Sequence, residues 1–447
     1  MGCIARNFFG KHVEAYNNEW AQWLRSCCLA ILLTRGGLQV SFSGKGIIVV
    51  FLSFVPQLFE ATTLALMGLW AFKFPIDVSF TFGFTISTVA AAIVVPFLLK
   101  WDEQGYGRSK GMAASLIAGC TFDNIVCLIL FGICKTVAFE HAAENKHLVS
   151  KNSNVAWSIG KIFVHNIAGV GLGVVLGSFG WALKCIKHKM IGLWIKCIYC
   201  VISAIIIVVA AELTHYTNGK YIACLTLGYT CFRIWGEDKP SVQISQVWIL
   251  LQPILFGTIG AALLFSQIRS GDVGYAFVCI FSGQVMRFVG VLIASSNQAK
   301  YTFKERLAMG VSWIPKSAVP ATLAGIMLTE STALGPNYLD YQVYGLQIQT
   351  TTILAIIICE PLGAFLIDLF VPKFFTKSEH EETPDPTVVI SIHPQRDDLS
   401  EISKRISEAP LETDITVTNL AQNQMSCVTF TDRENASTPV RLRDTAN

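Results

Sequence analysis

Two polar residues, Asp123 and Asn124, stand side by side near the middle of an apolar stretch at 111–139. A membrane-crossing helix takes about 20 mostly apolar residues, so this stretch is long enough to span. A carboxylate at bilayer depth costs about 3 kcal/mol on insertion scales, and a chain that keeps one sets it against a partner or in a wet cavity. The plain reading is a hydrogen bond between helices. The sharper reading is an ion or proton site, with the small residues Gly119, Cys120 and Thr121 leaving room beside it. Other ionisable residues interrupt apolar runs in the same way. Glu60 follows Pro56 by four residues, Arg287 lies within Val285-Met-Arg-Phe-Val-Gly290, and Lys316 follows Pro315. Lys161 and His165 are one turn apart, and Glu360 precedes Pro361. Buried in a helical bundle, such groups must pair or line water.

The elements that hold these residues are membrane helices. The chain has 447 residues, 52% hydrophobic and 15% charged. A soluble domain carries about 25% charged residues, so the composition specifies an all-α polytopic membrane protein. A net charge of +3 gives no case for nucleic acid. The 14 cysteines are scattered through apolar runs, and Cys197-x-x-Cys200 has no second pair at metal spacing; it reads as core. No metal spacing and no nucleophile–base set appear, so no enzyme and no cofactor is expected. Apolar spans are predicted at 46–72, 75–99, 111–139, 155–183, 190–212, 219–235, 243–266, 272–296, 305–329 and 344–371, preceded by a short, broken or tilted one near 20–34. Two of them carry helix breakers: 75–99, which ends its apolar run at Pro96, and 305–329, where Pro315 and Pro320 flank Lys316. Interrupted helices in separate halves of a chain point to a transporter's midplane site, because half-helix ends offer free backbone groups and dipoles to ions. Gly169, Gly173 and Gly177 form a small-residue ladder for close helix packing.

Loop charge gives an orientation. Eleven spans with the tail inside put Arg35, Lys45, Lys100, Arg108, Lys110, Lys184, Lys187, Lys189, Arg233, Lys239, Lys300, Lys304, Arg306, Lys373 and Lys377 on the cytoplasmic side. Only Lys73, Lys146, Lys151, Lys220 and Arg269 fall opposite, a ratio of about three to one. The polar segment 1–20, with Arg6 and Lys11, then lies outside, which fits upstream helices that precede this chain. No cleavable signal peptide is apparent, and Arg6 breaks the myristoylation pattern that Met1-Gly2-Cys3 begins. Beyond a transmembrane domain at 21–372, residues 373–447 are rich in Ser, Thr, Asp, Glu, Pro, Asn and Gln and are expected to form a disordered cytoplasmic tail. Lys404-Arg-Ile-Ser407 is a basophilic phosphorylation pattern.

Four features in one order resemble the animal NHA-type sodium/proton exchangers (the 9B group) of the cation:proton antiporter superfamily. They are Glu60; the interrupted span ending Ile93-Val-Val-Pro96 with the Gly105-Tyr-Gly107 loop after it; Phe122-Asp-Asn-Ile125; and Gln252-Pro-Ile-Leu-Phe-Gly257 with Arg287 and Trp313-Ile-Pro-Lys316. The match runs from about residue 20 to 372. It implies an antiporter fold with inverted repeats, two discontinuous helices crossing at midplane, and a core domain that moves against a dimerisation domain, as a homodimer in the lipid bilayer. It also implies about three spans before this chain begins. By position, Asp123 matches the first of two adjacent family aspartates, and Asn124 stands where the second, the principal ligand, is expected. Glu60 and Arg287 match a buried ion pair. Lys316 matches a basic residue whose acidic partner falls at Ala262, and the family's Ser-Pro is Ala90-Ala91 here.

The function expected is exchange of Na⁺ or Li⁺ for protons by alternating access, with Asp123 as the carboxylate and an electroneutral stoichiometry. The loss of acids at Asn124 and Ala262 keeps open a proton-coupled chloride transporter, and a non-transporting regulatory paralogue is the third reading. The plasma membrane is the expected site, a mitochondrial or endosomal membrane the alternative.

Overall fold

The computed structural model describes residues 2–9, 18–39, 47–145, 155–185, 189–214, 219–262, 265–267, 270–296, 300–316 and 318–377, and beyond these 390–392, 413–420 and 425–432. Lys11, Lys45, Lys146, Lys151, Lys187, Arg269 and the Lys404–Ser407 pattern lie outside them. The chain divides into two units, Met1–Lys377 and Ser378–Asn447.

The first unit is helical throughout. Its helices are α1 (Gly2–Phe8), α2 (Asn18–Gln39), α3 (Ile48–Met67, continued by a π-turn at Gly68–Phe72), α4 (Ile76–Ile86), α5 (Ala91–Glu103), α6 (Met112–Asn145) and α7 (Val155–Phe179). They continue with α8 (Lys189–Leu213), α9 (Lys220–Trp235), α10 (Ser241–Ala261), α11 (Ser270–Ser296), α12 (Phe303–Val311), α13 (Ala318–Ala333) and α14 (Leu339–Phe374). Among the described residues, seven of these segments are long and apolar enough to cross a membrane. The chain is thus an all-α polytopic membrane protein.

The stretch near residue 20, expected to be short or broken, is a continuous helix of 22 residues. At 1.5 Å per residue it is about 33 Å long. Arg25 does not break it, because its stem is buried and its Nε donates to the Ala21 carbonyl within the same helix. The segment before it is not featureless either. In α1, Gly2 lies so close to α10 that a Cβ there would stand 1.9 Å from the Gly257 carbonyl oxygen.

Two groups of helices result. In one, α2 and α7 pack on α9, with α8 and α10 alongside. The glycine ladder is what brings α7 in: Cβ atoms at Gly169, Gly173 and Gly177 would meet Gly219, Ala223 and Thr230 within 2.4–2.5 Å. Close packing of this kind gains dispersion energy where lipid gives no hydrophobic drive between helices. In the other group, α3 packs along α11, α4 and α6 pack on α3, and α14 closes over α5, α12 and α13.

The ends of the second group differ in character. At one end the loops after α5 and α11 meet the end of α14. Lys110 bonds both oxygens of Glu305 (2.7–2.8 Å), and Gly107 N–H donates to the Thr376 carbonyl (2.9 Å). Lys100, Arg108, Lys300, Lys304, Arg306, Lys373 and Lys377 belong to these same segments. At the other end, Asp77 faces His141 (3.5 Å) beneath Phe74, Tyr341 and Tyr344. These three basic segments therefore gather at one end of the group.

The second unit contains three antiparallel strands, β1 (Ile390–Ile392), β2 (Thr413–Leu420) and β3 (Met425–Asp432), in the order β1-β3-β2. Polar composition predicts no packed core for 373–447. The strands arise where that composition alternates: Ile415, Val417 and Phe430, Val428 fall every second residue between threonines, which is strand periodicity. Residues 373–374 belong to α14.

Candidate functional site

Both interrupted helices are present, and their gaps cross. The first gap separates α4 from α5 at 87–90, the second separates α12 from α13 at 312–317. Val89 pairs antiparallel with Lys316, and Ala90 N–H donates to the Pro315 carbonyl at 2.9 Å. Pro315 cannot donate to a helix, and it biases Ile314 toward an extended conformation, so α12 ends there. Pro320 is the third residue of α13, where an N–H has no intrahelical acceptor to lose. Pro96, expected at the break, lies inside α5. The first gap is made instead by Ser87-Thr88, with Ala90 and Ala91 at the start of α5.

Four buried charged groups converge on this crossing. Asp123, in the middle of α6, takes both Nη2 contacts of Arg287 from α11, at 3.0 and 3.1 Å, and accepts the Val89 N–H at 2.9 Å. Arg287 Nη1 bonds Glu60 of α3 and donates to the Ser87 carbonyl at 3.0 Å. The second oxygen of Glu60 bonds Lys316. All four are essentially inaccessible. The broken helix serves both signs: α5 offers an N–H at its positive end to the acid, and α4 offers a carbonyl at its negative end to the base. Two carboxylates balance two cations, and this removes the surplus positive charge on which a chloride reading depends. Lys316 takes its carboxylate from Glu60, whereas the expected partner position, Ala262, lies at the end of α10 in an apolar cluster.

Asn124 has a different role from its neighbour. Its Nδ2 donates to the Cys120 carbonyl (2.9 Å), while its Oδ1 is buried without a hydrogen-bond partner. Ser87 Oγ and Thr88 Oγ1, at the gap that holds Asp123, are likewise buried and unpartnered. Buried polar atoms are nearly always satisfied, so these three unpartnered oxygens, two in the gap and one beside Asp123 in sequence, set this region apart. Ala90 and Ala91 stand where the resemblance implies Ser-Pro; Ser87 and Thr88 supply two hydroxyls within the same gap.

Asn124 also lines a cavity between the two helix groups. Its walls include Thr121, Ala91, Val95, Leu33 and Arg35, and it holds about 50 Å³ of water-accessible space. Arg35 brings a cation here whose Nε has no partner. Asp123 itself does not line the cavity; it sits behind Asn124, at the crossing. A second cavity of about 130 Å³ lies further along the same helices, lined by Lys135, Glu212, Lys220, Tyr221, Thr329 and Glu330. Eleven residues of α6 separate Asn124 from Lys135, or about 16 Å. Leu29, Leu33, Leu225, Val319, Leu128 and Leu323 fill the space between as one apolar cluster. Asn124 thus has a cavity on one side and an apolar layer on the other.

Of the other predicted residues, Lys161 is exposed on α7 beside Trp157, and His165 lies one turn on; Glu360 sits on α14. None of the three joins the network. Sequence reading missed Arg35, the Lys135–Glu330 and Lys220–Glu212 pairs, and the junction at Glu305. For Glu305 a signal exists: Thr302-x-x-Glu305 is a capping box, with both reciprocal hydrogen bonds formed.

Among the described residues no cluster of His, Cys, Asp and Glu suits a metal ion. Comparison with known proteins gives the family. The chain is 28% identical to human sodium/hydrogen exchanger 9B1 over 384 residues, covering 84% of this chain and 71% of that one. It is 26% identical to mouse sodium/hydrogen exchanger 9B2 over 408 residues, 89% and 72% of the two chains. The fold matches that of the sodium proton antiporter MjNhaP1 from Methanocaldococcus jannaschii at pH 8, with a TM-score of 0.63, 17% identity, and 83% and 90% of the two chains covered. A family model for "Sodium/hydrogen exchanger, transmembrane" matches residues 9–367. This chain belongs to the transmembrane sodium/hydrogen exchanger family, a family of antiporters rather than enzymes.

Proposed function

We propose that this chain exchanges sodium for protons by alternating access, with Asp123 as the carboxylate that both compete for. The observation that carries the reading is the position of Asp123: at the crossing of two interrupted helices, with unpartnered oxygens at Ser87 and Thr88 of the gap and at the next residue, Asn124, which lines a cavity. Sodium is a hard cation, and such ions are held by oxygens. Arg287 is the internal competitor. It holds Asp123 when no cation is bound, and it keeps Glu60 and the Ser87 carbonyl when Asp123 turns to sodium. Lithium, smaller and harder still, is a second substrate on the same chemistry.

Charge counting gives the stoichiometry. With Asp123 ionised and empty, the four-group network is neutral. Binding one sodium adds one charge, and binding one proton adds one charge. The loaded forms are electrically alike, so one sodium leaves for each proton that enters. The basic-loop face is cytoplasmic in this reading, the host is the plasma membrane, and two copies assemble as a homodimer. The test is flux in proteoliposomes with a pH gradient: addition of sodium moves protons, and Asp123→Asn abolishes the movement while the protein stays folded. Wild-type protein that folds but moves no protons would support the regulatory reading instead.

A further inference from the structure

The cavity beside Asn124 carries a charge that the buried network does not balance. Among the described residues that line it, Arg35 alone is ionisable. Its Nε is buried without a hydrogen-bond partner, and among the described residues no carboxylate pairs with it. Ala91 and Ala92, the first residues of α5, bring the positive end of that helix to the same wall. The cavity lies on the basic-loop side of the site. Its α6 wall steps from Asn124 through Thr121 to Ile117, five residues from Met112, where α6 leaves the Lys110–Glu305 junction. The cavity beyond the apolar layer is different. There Lys135 pairs with Glu330 and Lys220 with Glu212, so its charges sum to zero. One approach to the site is cationic and the other neutral.

We infer that Arg35 is the residue that weakens sodium binding from the basic-loop end of the pathway. The inference rests on the antiport reading above and adds a specificity-determining residue outside the four-group network. Arg35 belongs to α2, in the helix group built on α9, whereas Asn124 and Asp123 belong to α6, in the other group. In the proposed cycle, movement of one group past the other carries the guanidinium away from Asn124, so it acts on the site in one state only. A fixed cation in the wall of a small cavity raises the energy of a second cation that enters it, and little water is there to screen the two. The same repulsion favours escape of sodium once it has left Asp123. At the other approach two closed pairs of opposite charge add no such penalty. Sodium and the proton carry the same charge, so Arg35 opposes both alike and leaves the exchange ratio unchanged.

The test is a charge series at Arg35, read from each face. The full chain is reconstituted, and vesicles of one orientation are collected by antibody to a tag on the tail. The sodium concentration for half-maximal proton flux is measured at alkaline pH, where protons compete least for a carboxylate. Arg35→Gln lowers it about threefold from the basic-loop face, the effect of a unit charge acting over about 10 Å in water-penetrated protein. Arg35→Glu lowers it further, and Arg35→Lys keeps the wild-type value. From the opposite face all three variants match wild type. Gln39→Arg is independent of whether Arg35 is needed for folding. It adds a second cation to the same wall and raises the basic-face value by a similar factor. Shifts that do not follow the charge, equal shifts from both faces, or a fall in maximal rate alone assign Arg35 a packing role and overturn the inference, as does an unchanged value in Gln39→Arg. Wild-type protein that exchanges no sodium overturns the antiport reading and this one with it, whereas active protein without a charge-ordered shift overturns this one alone.

Discussion

At the residue scale, the site is a balance of charges and not a single acid. Glu60 holds Arg287 with one oxygen and Lys316 with the other, so Glu60→Gln leaves two buried cations short of a partner. Breaking one side of a buried pair costs about 3–5 kcal/mol. The expected result is a lower thermal midpoint in detergent, with poor recovery of folded protein. Asn124→Asp is the informative opposite. It adds a second carboxylate beside Asp123, so the site takes two protons in one form and one sodium in the other. The loaded forms then differ in charge, and exchange is expected to generate current, seen as a dependence of flux on imposed voltage that the native protein lacks. These residues were legible as residues: Glu60, Asp123, Arg287 and Lys316 are each an ionisable group in an apolar run. Their pairing was not. The partners lie 164 and more residues apart in sequence, and the acid that Lys316 takes is the one nearest in space.

At the element scale, the two interruptions illustrate what local sequence does and does not carry. The second was readable because Pro315 removes a donor. The first was readable only as a break somewhere between Gly83 and Pro96, since the actual gap at Ser87-Thr88 contains neither proline nor glycine. Hydroxyl side chains offer the backbone alternative hydrogen bonds, but whether a helix yields to them depends on what tertiary partners wait. Here those partners are Asp123, Arg287 and Pro315. Charged residues misled in the opposite sense at α2, where Arg25 and Arg35 suggested a broken span and instead lie against other helices. The half-helix α12 depends on Glu305, which caps it and also binds Lys110 and Thr376. Loss of a cap costs about 1 kcal/mol and the ion pair adds to it. Glu305→Ala is expected to lower the thermal midpoint and slow transport, while Lys110→Glu with Glu305→Lys recovers part of both.

At the scale of the whole helical unit, two helix groups enclose two cavities with an apolar layer between them. In the proposed cycle one end opens while the other stays closed by a rigid-body movement of one group past the other, without rearranging the helices that hold the buried network. A polar substitution in the layer, Leu128→Asn, is therefore expected to let protons pass without sodium, read as decay of a pH gradient in its absence. The account depends most on Asp123. Acid-loaded proteoliposomes given external sodium should alkalinise with wild-type protein and stay acidic with Asp123→Asn of equal thermal stability. Undiminished sodium-driven alkalinisation by that variant would contradict the account at its centre.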